Sequence, residues 1–156
     1  MQRAKETAEI IAGTIAVNVE FSDLFVERRR PHEVYHKPKN DPRSIEINAT
    51  VMKNFHNLEY HFSDEENFVD LKMRAKKALE LLAKRLEENI LVVTHGFFMR
   101  MILAYALFGE DLTSKECEKY IYALHMENVG ITILGYDEKN TNPWWLWVWN
   151  DHAHLD

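Results

Sequence analysis

The sequence predicts an α/β fold, a three-layer α/β/α arrangement around a mostly parallel sheet with an antiparallel hairpin at its edge. Three observations predict it. Ile90 to Thr94 is a short, β-branched apolar run, as expected of a strand covered on both faces. Helical patterns stand on either side of it, so helix and strand alternate along the chain. Two strand patterns near the end flank a turn-like segment, Asp137 to Pro143, and so form a hairpin.

Each element has its own signal. From Arg3 to Ala12, residues Ala4, Ala8, Ile11 and Ala12 share one helical face, and Gly13 stands where a C-terminal cap belongs. Ile15 to Phe21 alternates and predicts a short strand. Arg28 to Arg43 holds three of the four prolines and reads as a loop. Ser44 to Phe55 is a weaker helix. The strongest helix is Asp64 to Glu88, opened by a Ser63/Glu66 capping box, with Phe68, Leu71, Ala75, Ala78, Leu79, Leu82 and Leu86 at helical spacing. Phe97 to Phe108 is a second apolar helix, closed by Gly109. Thr113 with Glu116 opens a helix that runs to about Ala123. Gly130 to Tyr136 and Trp144 to Trp149 are the hairpin strands, and the tryptophans fall on both faces.

Length and composition fit one domain over residues 1–156. Apolar residues make up 46% and charged residues 28%, which excludes a disordered or disulfide-scaffolded chain. The single cysteine, Cys117, can form neither an internal disulfide nor a cysteine metal cluster, and the expected setting is cytoplasmic. No apolar run is long enough to span a bilayer, so no membrane partner is expected. The net charge of −6 repels nucleic acid. One segment reverses that sign. Arg28, Arg29, Arg30, Lys37, Lys39 and Arg43 stand against only Glu33 and Asp41, a solvated loop or an anion-attracting rim over a pocket.

His95 is the leading chemical candidate. It follows the expected buried strand, where open α/β sheets bind ligands. Gly96 admits a close backbone approach, and the free amides of the next helix favour an anion. A helix-capping role for His95 is the plainer alternative. His152-x-His154 could present two imidazoles, but there is no HExxH and no cysteine pair, so no metal is expected. GxGxxG, P-loop and GxSxG motifs are absent as well.

Five segments together resemble the histidine phosphatase superfamily, the phosphoglycerate mutase-like proteins. Arg3-Ala4-Lys5-Glu6-Thr7-Ala8 resembles its "RA–x–x–TA" helix start. Leu24-Phe25-Val26-Glu27-Arg28 is similar to the segment carrying its acidic catalytic residue. Ile90 to Gly96 resembles its "strand–[ST]–His–Gly" motif, Asn128 to Thr132 a later segment, and Asn150 to Leu155 its C-terminal tail. The order matches the family's.

The resemblance implies phosphoryl transfer through a phosphohistidine, with a small phosphorylated substrate and no cofactor. It makes Arg3 a phosphate-clamping guanidinium and His95 the second active-site histidine, a donor to the phosphoryl oxygens aided by Gly96. It makes Glu27 the general acid and base. More loosely, Arg28, Arg30 and Lys37 would line or overhang the substrate pocket. The family's signature Arg-His-Gly, whose histidine is the nucleophile, has no counterpart here. The expectation is therefore a domain lacking its first strand–helix unit, about 30 residues or more, and inactive as this chain.

Three functions compete at this level. The first is a phosphatase or mutase domain for phosphate monoesters. The second is a non-catalytic phosphate-binding or regulatory relative. The third, a flavodoxin-like nucleotide-binding domain, wants a glycine-rich first loop that the five glycines do not supply. The tryptophan-rich edge strand could be core or the surface of a homodimer.

Overall fold

The computed structural model describes residues 2–38 and 40–155. Among these, the helices are α1 (Gln2–Ile15), α2 (Pro42–Lys53), α3 (Phe68–Ala83), α4 (Gly96–Phe108) and α5 (Ser114–Ala123). They are followed by strands β1 (Ile131–Tyr136) and β2 (Trp144–Asp151). Lys39, part of the basic segment, lies outside the described residues.

α4 is the centre of the core because it is apolar nearly all round. It buries Phe98, Met101, Ile102, Leu103, Ala104 and Ala106 and packs against α3, α5 and β2. α3 meets it with Leu71, Ala75, Ala78 and Leu79, all buried. The alanines let the two helices approach closely, and the large side chains fill the space between them. Truncating Phe98, which is fully buried, to alanine would cost about 3–5 kcal/mol. Phe55 closes one end of this core edge-on to Phe68, with ring centroids 5.8 Å apart.

Helix starts follow their caps. Asp41 accepts from the Ser44 amide at the head of α2, and Thr113 and Glu116 form the expected reciprocal box at α5. α3 departs from expectation. Its box is Asn67 with Asp70, because the Ser63 hydroxyl is engaged by Glu33 and Glu66 is paired with Arg74. The helix also stops at Ala83, leaving Leu86 exposed in the following loop. α1 likewise passes through Gly13 without stopping. It ends at Ile15 in a Schellman turn, with Val17 N–H donating to the Ala12 carbonyl at 3.1 Å and Ala16 in the left-handed region at φ 58°.

The strands differ most from the sequence reading. β1 and β2 form the expected antiparallel hairpin, with Ile133 opposite Val148 and Tyr136 opposite Trp144. Bulges shift the register near Ile133, and Asn150 takes a positive φ of 48°. Gly130 is required here, because a Cβ would collide with the Asn150 side chain. That carboxamide accepts from the Glu127 amide at 3.0 Å. This hairpin is the whole sheet among the described residues. Ile90 to Thr94 is extended but joins no ladder, and Leu91 is 64% exposed. Val17 to Phe21 is also unladdered. A doubly covered strand needs hydrogen-bonding neighbours, and no described segment supplies them. The parallel sheet is therefore not formed among these residues. The molecule is helix-rich with one antiparallel hairpin.

Candidate functional site

The site is assembled at the N-terminus of α4. His95 immediately precedes the helix, and its carbonyl accepts the first intrahelical bond, from Met99 N–H at 2.8 Å. Its ring is buried. Burial lowers the pKa of His95 below the ordinary histidine value. The Glu27 carboxylate opposes that drop, and the Arg3 guanidinium reinforces it. Arg3, on the first turn of α1, brings Nη2 to 3.4 Å from His95 Nδ1. A guanidinium can only donate, so Nδ1 is the acceptor and a neutral ring keeps its proton on Nε2.

Glu27 reaches the same place from the loop after the Asp23–Phe25 3₁₀ turn. Its Oε1 accepts from the Phe98 amide at 3.1 Å and the Arg28 amide at 2.9 Å. Oε2 accepts from the Phe97 amide at 3.4 Å. A carboxylate on free helix-N-terminal amides is favoured both by hydrogen bonding and by the helix dipole. Two amides that the sequence reading left open to an anion are therefore already occupied. The neighbouring Gly96 N–H makes no hydrogen bond among the described residues. Glu27 makes no ion pair with an arginine among them either; backbone donors hold it.

Three residues position this group without having been singled out as site residues. Thr94 Oγ1 donates to the Phe25 carbonyl at 2.7 Å, tying the segment before His95 to the segment before Glu27. Arg74, on α3, donates to the Val26 carbonyl at 2.7 Å and the Leu24 carbonyl at 3.2 Å. Its Nε and Nη2 also grip both Glu66 oxygens, at 2.7 and 2.8 Å. Arg100 folds back to the Gly96 carbonyl at 3.1 Å and to the Ile121 and Leu124 carbonyls. Thr94 left a sequence signal as the [ST] position of the strand–[ST]–His–Gly motif, and Arg100 as the one charge interrupting the Phe97 to Phe108 apolar run; Arg74 left none.

The basic loop is brought to the site only in part. Arg28 is half-buried, with its guanidinium 4.0 Å above the Phe97 ring. Burial lowers its pKa, and Glu27 opposes the drop. Arg30 and Lys37 are exposed. Arg30 lies in a shallow cleft with Arg28, Asn48 and Glu66.

A model of the histidine phosphatase superfamily, branch 1, matches residues 1–152. That span takes in Arg3, Glu27 and His95, which the fold brings to one helix end. The chain belongs to the histidine phosphatase superfamily. Comparison with curated proteins and with solved structures gives no significant match. In this histidine phosphatase domain, the head of α4 gathers a guanidinium, an imidazole and a carboxylate. His152 and His154, the candidate metal-ligand pair, are not gathered with other ligands among the described residues. His152 Nδ1 lies 2.8 Å from the Asn150 carbonyl, and His154 is exposed. Among the described residues, no helix is long and apolar enough to cross a membrane.

Proposed function

We propose that Arg3, Glu27, His95 and Gly96 form the phosphate-binding and acid–base part of a phosphoryl-transfer site for a small phosphate monoester. The carrying observation is that Arg3 and His95 meet at 3.4 Å while Glu27 sits on the Phe97 and Phe98 amides, two and three residues further on, at the head of α4. These groups are distant in sequence, and their donors and acid are of the types a phosphoryl group would need. Arg3 and the free Gly96 N–H would hold its oxygens, and His95 Nε2–H would donate a third bond. Glu27 would protonate the leaving oxygen and then take the proton of an attacking water. Arg28 would face the rest of the substrate, with Arg30 and Lys37 further out on the rim.

No histidine in the 156 residues stands in an Arg-His-Gly context, so no residue here fits the nucleophile. We therefore read this chain as binding phosphate without turnover, with activity in a form carrying that segment. The same form would complete the three-layer α/β/α sheet, using Ile90 to Thr94 as one of its parallel strands. A cytoplasmic enzyme is the setting this reading expects. The second reading, a non-catalytic phosphate-binding relative, is favoured by Glu27 occupying the Phe97 and Phe98 amides.

One experiment separates the readings. Inorganic phosphate is titrated into the 156-residue chain and into R3A, and hydrolysis of a generic phosphomonoester is followed for the chain and for a form extended upstream with Arg-His-Gly. Saturable binding weakened in R3A, with turnover and phosphohistidine only in the extended form, supports the enzyme. Binding with no turnover in either form selects the non-catalytic relative. A folded chain with no saturable binding rejects both.

A further inference from the structure

A cluster away from the Arg3–Glu27–His95 group has metal-ligand chemistry. His32, Glu33 and Asp64 each offer a ligand atom, all within 4.8 Å of one another. His32 Nδ1 lies 3.2 Å from Asp64 Oδ1 and 3.5 Å from Glu33 Oε2. Tetrahedral zinc, with bonds of about 2.0–2.2 Å, places its ligand atoms roughly 3.3–3.6 Å apart; the His32–Glu33 separation falls within that range, and the His32–Asp64 contact is a slightly shorter hydrogen bond that the ion would replace.

The three donors are pre-positioned. His32 and Glu33 form a single turn between Pro31 and Val34, which are both buried. Asp64 sits in a loop fixed by its neighbour Glu65, a buried carboxylate that accepts from the Phe62 and Ser63 amides at 2.5 and 2.8 Å. The His32 amide donates to Asp64 Oδ1 at 2.9 Å. That bond is the main reason the Asp64 carboxyl sits below its ordinary pKa. The Ser63 hydroxyl donates to Glu33 Oε2 at 2.8 Å. Two anionic oxygens and one imidazole suit a borderline divalent ion better than magnesium or calcium, which prefer all-oxygen shells.

We propose that His32, Glu33 and Asp64 form a surface site for a zinc-like divalent cation, with the fourth position open to water. Binding there would clamp the His32–Val34 turn to the Ser63–Glu66 loop. Those segments already touch through the His32 N–H bond to Asp64 Oδ1, and the chain just before the turn is held to the same loop by Arg29 N–H and Glu66 Oε2 at 2.8 Å. The proposal is independent of the phosphoryl-transfer reading.

Cobalt(II), as a spectroscopic stand-in for zinc, tests it on the 156-residue chain. The expected result is one saturable site with the visible absorption of four-coordinate cobalt, displaced by zinc but not by equimolar magnesium. H32A and D64N should each weaken binding at least tenfold, while the H152A/H154A double variant should bind as the parent does. Circular dichroism of each variant checks that it is folded, and E33Q serves if either single variant is not. A dissociation constant weaker than about 1 mM, displacement by magnesium, or undiminished binding in folded H32A or E33Q overturns the proposal.

Discussion

The Glu27 carboxylate caps α4, accepting from the Phe98 amide 71 residues further along the chain at 3.1 Å. An acidic side chain proposed to move protons is thus also a structural stop for the central helix. Replacing it should affect stability as well as chemistry. E27A should destabilise the fold by about 1–2 kcal/mol, the range for losing a helix cap, and E27Q by less, since one oxygen remains to accept. Urea unfolding of the two variants measures this. Equal losses would show that charge, not hydrogen bonding, carries the contact. In the extended, active form, E27Q should lower turnover about 10²–10⁴-fold.

Arg74 should be among the least replaceable residues. Its pair with Glu66 is largely shielded, with side-chain exposures of 13% and 12%, and its guanidinium lies 3.6 Å above the Phe98 ring. R74A leaves the Glu66 carboxylate with the Arg29 amide as its remaining partner and strands two carbonyls, a loss toward the lower end of the range of about 3–5 kcal/mol for broken buried pairs. R74K keeps the charge but not the planar fork, and should recover only part of it. Denaturant midpoints for the two variants give the comparison.

His95 sets a pH dependence. Its folded pKa is depressed below the ordinary 6.5, with burial the first cause. Below that pH the unfolded chain takes up a proton more readily than the folded one. The stabilising contribution is therefore present above about pH 6.5 and declines on acidification toward the lower folded value. Unfolding midpoints at about pH 7.5 and about pH 5.5 should differ more in the parent than in H95N. Parallel pH profiles would assign the decline to other groups.

Two exposed positions at the end of α1 invite opposite substitutions. Gly13 is inside the helix with open space where a Cβ would go. G13A should therefore add about 0.8–1.0 kcal/mol. Ala16 holds the left-handed position at φ 58°, so A16G should relieve about 1 kcal/mol of backbone strain. Each should raise the melting temperature by roughly 2–4 °C in a chain of this size. A decrease for either would show that α1 ends differently in solution.

The exchange of glycine and alanine at that helix end also shows where sequence reading stops. Gly13 is the residue a cap should have, yet the Schellman bond runs from Val17 to Ala12. Local propensity was overridden by where the chain must turn. The Thr113/Glu116 box and the hairpin were legible because their partners are close in sequence. Ser63 and Glu66 carried the same pattern, but Glu33 and Arg74 claimed them from far away. Ile90 to Thr94 carries strand composition, yet composition cannot supply a neighbouring backbone. Arg3 and Glu27 were legible only through motif order, whereas His95 also stood out from its place before an apolar helix. Arg74 was invisible, since an arginine on a helix looks like any solvated charge until its carbonyl partners are known.

Arg74 has one further consequence. It joins α3 to the loop that carries Glu27, whereas the extended segment before His95 has no ladder and is linked by a single threonine hydroxyl. Alignment of Glu27 with His95 is thus referenced to helices rather than to a sheet. Substitutions deep in the α3–α4 interface would be felt as misplacement of the Glu27 carboxylate. On the function proposed above, selection acting on that interface would be selection on chemistry.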